Sequence, residues 1–329
     1  MSTNKDRPLS FVRLILGLQQ DRLDGEEREL LEEYAHRAGV PFDPHRPVVP
    51  FAALRALTKA SAPAGGYVVG TETQNAVDVL RPYSVTARAG IIIETGLVGD
   101  QVVPKVTEKS TAQWLDIETQ QVTPSAPTLA EVPLTPKMVG DVVRFSRRLA
   151  TQANAEAFVR RELLRTIGTA IDQAVLNGSG ASGEPRGLLQ TAGVSTETGT
   201  DLGHAGAAAM KRKVADANAP DEAISYIGTP AVRELLETRE RAAGSGFVWD
   251  NDRVAGRPAR VTTDLPAATL VAGAWEAIYL GIWGDGFVLE INPFDPEGFK
   301  IGRIEARVLV ACDVAVLHPA AFCKSAAIT

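Results

Sequence analysis

The chain has almost no cysteine. Cys312 and Cys323 are the two thiols among 329 residues, too few for a disulfide framework or a cysteine-built zinc site. Both sit in an apolar C-terminal stretch, where a thiol serves as a small buried hydrophobe. Histidine is nearly as scarce: His36, His45, His204 and His318 stand at no metal-ligand spacing, so no metal is expected. Apolar runs fall far short of the ~20 residues of a membrane helix. Lys5, Asp6 and Arg7 before a brief apolar patch do not make a signal peptide. Neither a membrane partner nor export is expected, and the chain reads as one kept in a cytoplasm-like compartment.

An excess of basic charge is missing too. Lys and Arg number 34 against 40 Asp and Glu, a net charge of −6, and no basic footprint for nucleic acid spans the sequence. The densest basic cluster, Arg144, Arg147, Arg148, Arg160, Arg161 and Arg165, reads as a solvated or subunit-pairing face. Catalytic patterns are absent as well, with no G-x-S-x-G and no paired histidines. His204 near Asp201 reads as a helix-start neighbour, and Asp285 between two glycines as turn chemistry. No catalytic residue and no cofactor are expected. A soluble cytoplasmic enzyme is therefore the weakest of the readings.

What is present is a string that invites a nucleotide. Residues 176–189, LNGSGASGEPRGLL, hold a literal G-x-G-x-x-G in Gly178, Gly180 and Gly183. A dinucleotide fingerprint needs a strand before it and a helix opening at its last glycine. Upstream, however, Val159, Leu163, Ile167, Ile171 and Ala174 recur at steps of three or four, which predicts a long helix over 154–178. Thr151 or Asn154 is placed to cap its start, and Asn177-Gly178 to tolerate a left-handed stop. Glu184-Pro185-Arg186-Gly187 then reads as a turn. The loop follows a helix and lacks Gly-Lys-Ser/Thr, so it is read as a flexible connector, not a phosphate cradle.

Four zones follow from patterning. Residues 1–59 carry a charged helix over 21–39, with a narrow apolar seam of Leu23, Leu30, Leu31 and Tyr34, then a proline-rich passage and a short apolar helix over 51–59. A small-residue stretch from Ala60 to Gly70 reads as a linker. Strands are predicted over 90–96, 101–106, 111–118 and 139–149, with polar, proline-studded sequence between the last two. This predicts a long hairpin arm in which Trp114 stands nearly alone as a large aromatic. Isolated hairpins are marginal in water, so the arm should lie on a neighbouring subunit. Beyond the glycine loop, helices are predicted over 205–218 and 230–243, the latter opened by Thr229-Pro230. Strands are predicted over 223–228, 258–263, 277–283, 286–292 and 299–317, with a hairpin turn at Gly284-Asp285-Gly286.

In this order and spacing the pieces resemble the major capsid protein family of tailed bacteriophages, built on the Hong Kong ninety-seven fold. The resemblance covers roughly residues 51–325. It is carried by Ile171-Asp172-Gln173-Ala174-Val175-Leu176-Asn177-Gly178, the glycines, and Glu184-Pro185-Arg186-Gly187-Leu188-Leu189. Supporting matches are Gln113-Trp114, Leu134-Thr135-Pro136-Lys137, Gly256-Arg257-Pro258 and the ending Asp313 to Phe322.

The resemblance implies an α+β capsid fold with a long spine helix, an extended hairpin arm, a peripheral domain and an axial domain. On that division, 1–59 is an N-terminal helical segment, scaffolding and removable, with its cleavage junction at Lys59-Ala60. Residues 60–89 open the peripheral domain and 90–148 form the arm, carrying Lys105, Lys109 and Trp114 onto a neighbour. Residues 149–203 hold the spine helix and the loop of Gly178, Gly180 and Gly183. Residues 204–295 form the axial domain, and 296–329 the closing strands of the peripheral domain. The implied function is a shell of hexamers and pentamers around double-stranded phage DNA, without sequence-specific contact. Other implied partners are portal, prohead protease and decoration proteins. The implied location is the virion, assembled in the bacterial cytoplasm. An encapsulin-like compartment around a protein cargo is the alternative with the same fold. Some relatives weld subunits through a lysine, an asparagine and a glutamate. Here Gly302 and Leu309 occupy the places of the last two, with Asn292 and Glu305 out of step, so no covalent staple is expected.

Overall fold

The computed structural model describes residues 25–37, 42, 48–50, 80, 83–108, 112, 114, 125–126, 128–146, 148, 155–284, 288–292 and 301–329. In chain order, helix α1 (Gly25–Arg37) and strand β1 (Val48–Pro50) precede a short helix α2 (Val85–Ala89). Four strands follow: β2 (Ile92–Leu97), β3 (Gln101–Glu108), β4 (Thr128–Leu134) and β5 (Lys137–Ser146). Then come the long helix α3 (Ala155–Asn177), β6 (Ser195–Glu197), α4 (His204–Asp216), β7 (Ile224–Gly228) and α5 (Pro230–Thr238). Short strands β8 (Trp249–Asp250) and β9 (Arg253–Val254) lead to β10 (Arg257–Val261) and β11 (Leu270–Ala274). The chain closes with β12 (Ile278–Trp283), β13 (Val288–Asn292), β14 (Arg303–Val316) and β15 (Phe322–Ser325).

The first sheet is organised by β14. Its residues alternate, with Ile304, Ala306, Val308 and Val310 buried and Arg307 exposed, the period-two pattern of a sheet with one covered face. Strand β5 runs antiparallel along one edge, from Arg303↔Ser146 to Cys312↔Lys137. Along the other edge lie β13, from Asn292↔Glu305, and β12, up to Ile278↔Val316. Helix α3, roughly 35 Å long at 1.5 Å per residue, covers this sheet with Val159, Leu163, Ile167, Ile171 and Val175, all buried. Four of these were expected from spacing, and the fifth expected position, Ala174, is buried beside Val175.

The second sheet has the order β6-β15-β11-β7-β10-β9-β8. Strands β7 and β11 are buried throughout, because one face meets the α3 core through Ile227, Val271 and Phe322. The other face packs Tyr226, Leu270 and Ala272 under α4 and α5 through Met210, Val214, Val232 and Leu236. Trp275 meets Phe322 edge-on at 5.5 Å, and its indole donates to the Ser225 carbonyl. Strand β15 pairs with β11, whereas β12 and β13 belong to the first sheet. Sheet membership therefore crosses residue 295 in both directions.

Several expectations change. The hairpin expected between the strands on either side of Gly284 does not form: β12 and β13 lie in line along one edge of β14 and are not paired among the described residues. Helix α5 ends at Thr238, five residues early, because Glu240 bridges to Phe247 and Arg241 N–H donates to the Gly246 carbonyl. Leu31, one residue of the expected seam on the N-terminal helix, is fully buried in the main core. The helix expected over 51–59 lies outside the described residues. So does the strand over 111–118, apart from residues 112 and 114, which are in no strand.

Candidate functional site: the arm, its root and the glycine loop

Strands β3 and β4 form a two-stranded ladder from Gln101↔Leu134 outward to Glu108↔Thr128. At its root it packs against the body. There Leu134, fully buried, packs with Trp283 and Ala315, and Val103, Val132 and Leu97 close over them. The Trp283 indole donates to the Gly99 carbonyl at 2.6 Å, and Gly284 N–H to the Leu97 carbonyl. Further out the apolar surface is wet: Val102 is 52% exposed, Leu129 62% and Trp114 99%. Among the described residues the arm has a buried cluster at its base and exposed apolar side chains further out.

One carboxylate fixes the root. Asp313, 3% exposed on β14, accepts from Thr135 N–H at 3.0 Å and from Lys137 Nζ at 2.7 Å. The Lys137 stem is half-buried, so this ion pair is screened less than a surface one. Leu134-Thr135-Pro136-Lys137 and the ending that opens at Asp313, far apart in sequence, thus meet at the pivot of the arm.

A second buried carboxylate ties α3 to the segment before the arm. Asp172, 1% exposed, accepts from Val85 N–H at 2.5 Å, Thr86 N–H at 3.1 Å and Ser84 Oγ at 2.7 Å. The Thr86 hydroxyl also donates to it. Ser84 Oγ in turn accepts from Ala87 N–H, so serine and aspartate together satisfy the orphan donors at the start of α2. Burial is the largest influence on Asp172 and raises its pKa above the usual carboxylate value, against the donors, which lower it. Sequence reading quoted Asp172 but gave it no role. Its signal was a carboxylate on the apolar face of an amphipathic helix.

The glycine loop is a tight closed turn rather than a flexible connector. Gly180 N–H donates to the Pro185 carbonyl and Gly187 N–H to the Gly178 carbonyl, and Ser179 bridges to Arg186. Glu184 accepts from Ser179 N–H at 3.0 Å and Ser179 Oγ at 2.6 Å, which holds its carboxyl below the usual range. A Cβ on Gly178 would stand 2.3 Å from the Pro185 carbonyl oxygen, and one on Gly187 would stand 2.4 Å from Gly178 N. Left-handed backbone falls at Gly180, Ser182 and Gly183, not at Gly178. The expected left-handed stop at Asn177-Gly178 is therefore replaced by close contact. A short 3-10 turn, Leu188–Gln190, follows the loop, and no strand precedes it. Against β5 and β14 the loop encloses a cavity of about 310 Å³.

Lys105 sits in the arm ladder opposite Ala130, half-buried; Lys109, Lys59 and Ala60 lie outside the described residues. Asn292 and Glu305 face each other across the β13–β14 ladder, and the Glu305 carboxylate is held by Arg144 at 2.7 Å. Cys312 and Cys323 are buried and unpaired as disulfides, with burial pushing the Cys312 thiol up to about 12. Among the described residues no helix is long and apolar enough to cross a membrane, and no cluster of metal-ligating side chains occurs.

The family model described as the phage capsid family matches residues 65–326. The major capsid protein of Halomonas phage phiHAP-1 is 28% identical over 309 residues, covering 85% of this chain and 51% of that protein. The chain thus spans about half the length of this relative. Among solved structures, the capsid of a native GTA particle aligns with a TM-score of 0.58 at 13% identity, over 84% of this chain and 98% of that one. Gordonia phage Cozz aligns with a TM-score of 0.55 at 17% identity, over 83% and 92%. The satellite phage P4 procapsid with its size determination protein gives 0.55 at 14%, over 78% and 100%. At these identities the structural likeness speaks for the fold alone.

Proposed function

We propose, from the premise that this chain belongs to the phage capsid family, that it is a major capsid protein whose copies build a closed head shell. The observation that carries the reading is the arm: it is pinned at its root by Leu134 and by Asp313 and presents Val102, Leu129 and Trp114 to solvent beyond. A surface of that kind needs another protein, and a family of shell proteins supplies a second copy. The role is structural, with no turnover of its own. The arm of residues 90–148 lies over a neighbour, the region of α3 and β14 forms the periphery of each capsomer, and the region of α4, α5 and β7 approaches its axis. Hexamers and pentamers enclose double-stranded DNA without reading its sequence. Portal, prohead protease and decoration proteins complete the list of partners, and assembly takes place in the host cytoplasm. Residues 1–59 act as a scaffolding segment that is cut at Lys59-Ala60. Negative-stain micrographs of the purified chain test the reading, with shells or rings expected. DNA in particles from infected cells separates a phage head from a compartment that holds protein cargo.

A further inference from the structure

The glycine loop, α3, β5 and β14 together line a cavity of about 310 Å³. We propose that it is a socket for Trp114 of a neighbouring copy, which fastens the arm of one subunit to the body of the next. This rests on the shell assembly proposed above and adds the residue and the site that lock it. Trp249, Trp275 and Trp283 are all buried, while Trp114 is 99% exposed. An indole is among the largest apolar surfaces a side chain carries, about 150–250 Å² when buried. The cavity, about 310 Å³, lies at the small end of the ~300–1,000 Å³ range of ligand sites. It suits one aromatic side chain and is too small for a helix.

The walls match an indole in kind. Met138, Val139, Ile171, Ala174 and Pro185 supply apolar contact, and a thioether packs well against an aromatic ring. Lys137 at the rim, its ammonium already held by Asp313, offers a cation to the ring face. Indole has a single N–H donor and no acceptor. Glu184, on the loop wall and held as an acceptor by Ser179, can take that hydrogen.

Placement selects a second copy as the occupant. The socket lies at the root of the arm, where Lys137 follows β4, whereas Trp114 lies beyond the far end of β3. The ladder between them spans about 27 Å at 3.4 Å per residue. A tip-to-root contact between copies is head-to-tail, the kind of interface that closes into rings. It also gives the tight glycine loop a purpose: Ser182, Gly183, Glu184 and Pro185 form one wall of the socket.

Acrylamide quenching of tryptophan fluorescence tests this on the full chain, because Trp114 is the exposed one of four. Free subunits should show a strongly quenched component that Trp114→Phe removes, and this component should lose its accessibility several-fold in assembled particles. Particles in which Trp114 stays as quenchable as in subunits would overturn the socket while leaving the shell reading intact. Failure of the native chain to assemble would instead refute the shell reading, and with it the basis of the socket. To place the contact, Trp114→Cys and Gln173→Cys chains are mixed, assembled and oxidised. Reducible dimers bridging positions 114 and 173 are expected when both chains also carry Cys312→Ser, because the native Cys312 thiol lines the same cavity, and are absent from either variant alone. Mixed particles without that bridge, or shielding of Trp114 with protection of a different surface in hydrogen exchange, would overturn the assignment to this cavity.

Discussion

Asp172 is the carboxylate that ties α3 to the start of α2. It is buried, and three residues before α2 and at its start depend on it. Asp172→Asn would turn an amide donor toward a backbone donor, and we expect a loss of about 2 kcal/mol in urea unfolding of the subunit. The pH dependence has a definite sign. The folded carboxyl pKa lies above the ordinary 3.8, so the folded chain binds more protons than the unfolded one in that window. The stabilising contribution is complete below that value and declines as pH rises through the folded pKa. The stability gap between the native chain and Asp172→Asn should therefore narrow as pH rises above the ordinary carboxylate value of 3.8, and a constant gap would show that Asp172 does not titrate there. The glycines make a second comparison. Gly178→Ala meets backbone at 2.3 Å and should cost about 3 kcal/mol. Gly183→Ala meets nothing within 4 Å and suffers only its left-handed φ of +81°, about 1 kcal/mol. Equal losses would contradict the packed-loop description. The sequence showed that these glycines matter, but not why: a literal G-x-G-x-x-G has the same letters whether it wraps a phosphate or its own backbone.

Elements with a clean period were legible. The stripe of α3 follows from spacing alone, because an amphipathic helix needs only local information, and the helix runs over Ala155–Asn177, close to the 154–178 expected. The arm was legible through what it could not bury, but its return strand β4 was not, because Thr128–Leu134 lies in the polar, proline-studded stretch expected between strands. Its anchor was not, since Asp313 and Lys137 are 176 residues apart and no periodicity connects them. Nor could sequence tell a hairpin at Gly284 from two strands continuing along one edge of β14. Both use glycine, and the long partner strand decides between them. The anchor can be tested as an element. Asp313→Ala strands Thr135 N–H and Lys137, which should cost about 2 kcal/mol and open the arm to limited proteolysis while far-ultraviolet circular dichroism stays native. Unchanged cleavage would remove Asp313 from the pivot. Replacing residues 107–128 with Asn-Gly joins Val106 to Leu129, which are paired across the ladder, through a turn suited to two-residue hairpins. That chain should fold with an undisturbed melting temperature, because the root cluster is retained.

At the scale of the whole molecule the claims concern other copies. Glu305 is occupied by Arg144, so a base for welding Asn292 to a neighbour's lysine is already engaged. Particles boiled in denaturant should run as monomers on a gel, and a covalent ladder lost on Lys105→Arg or Lys109→Arg would contradict this. The first 59 residues join the body through Leu31 and through β1 on the edge of β13. The family match begins only at residue 65. We expect mass spectrometry of finished particles to find chains beginning at Ala60, and an intact N-terminus throughout would make the segment a permanent part of the shell. The central claim is that the arm exists to be covered by a second copy. Sedimentation velocity of the full chain beside the Asn-Gly short-arm chain, both at micromolar concentration, tests it most directly. The account predicts rings or shells from the first and a folded monomer from the second; a stable monomer from the full chain, or shells from both, would contradict it.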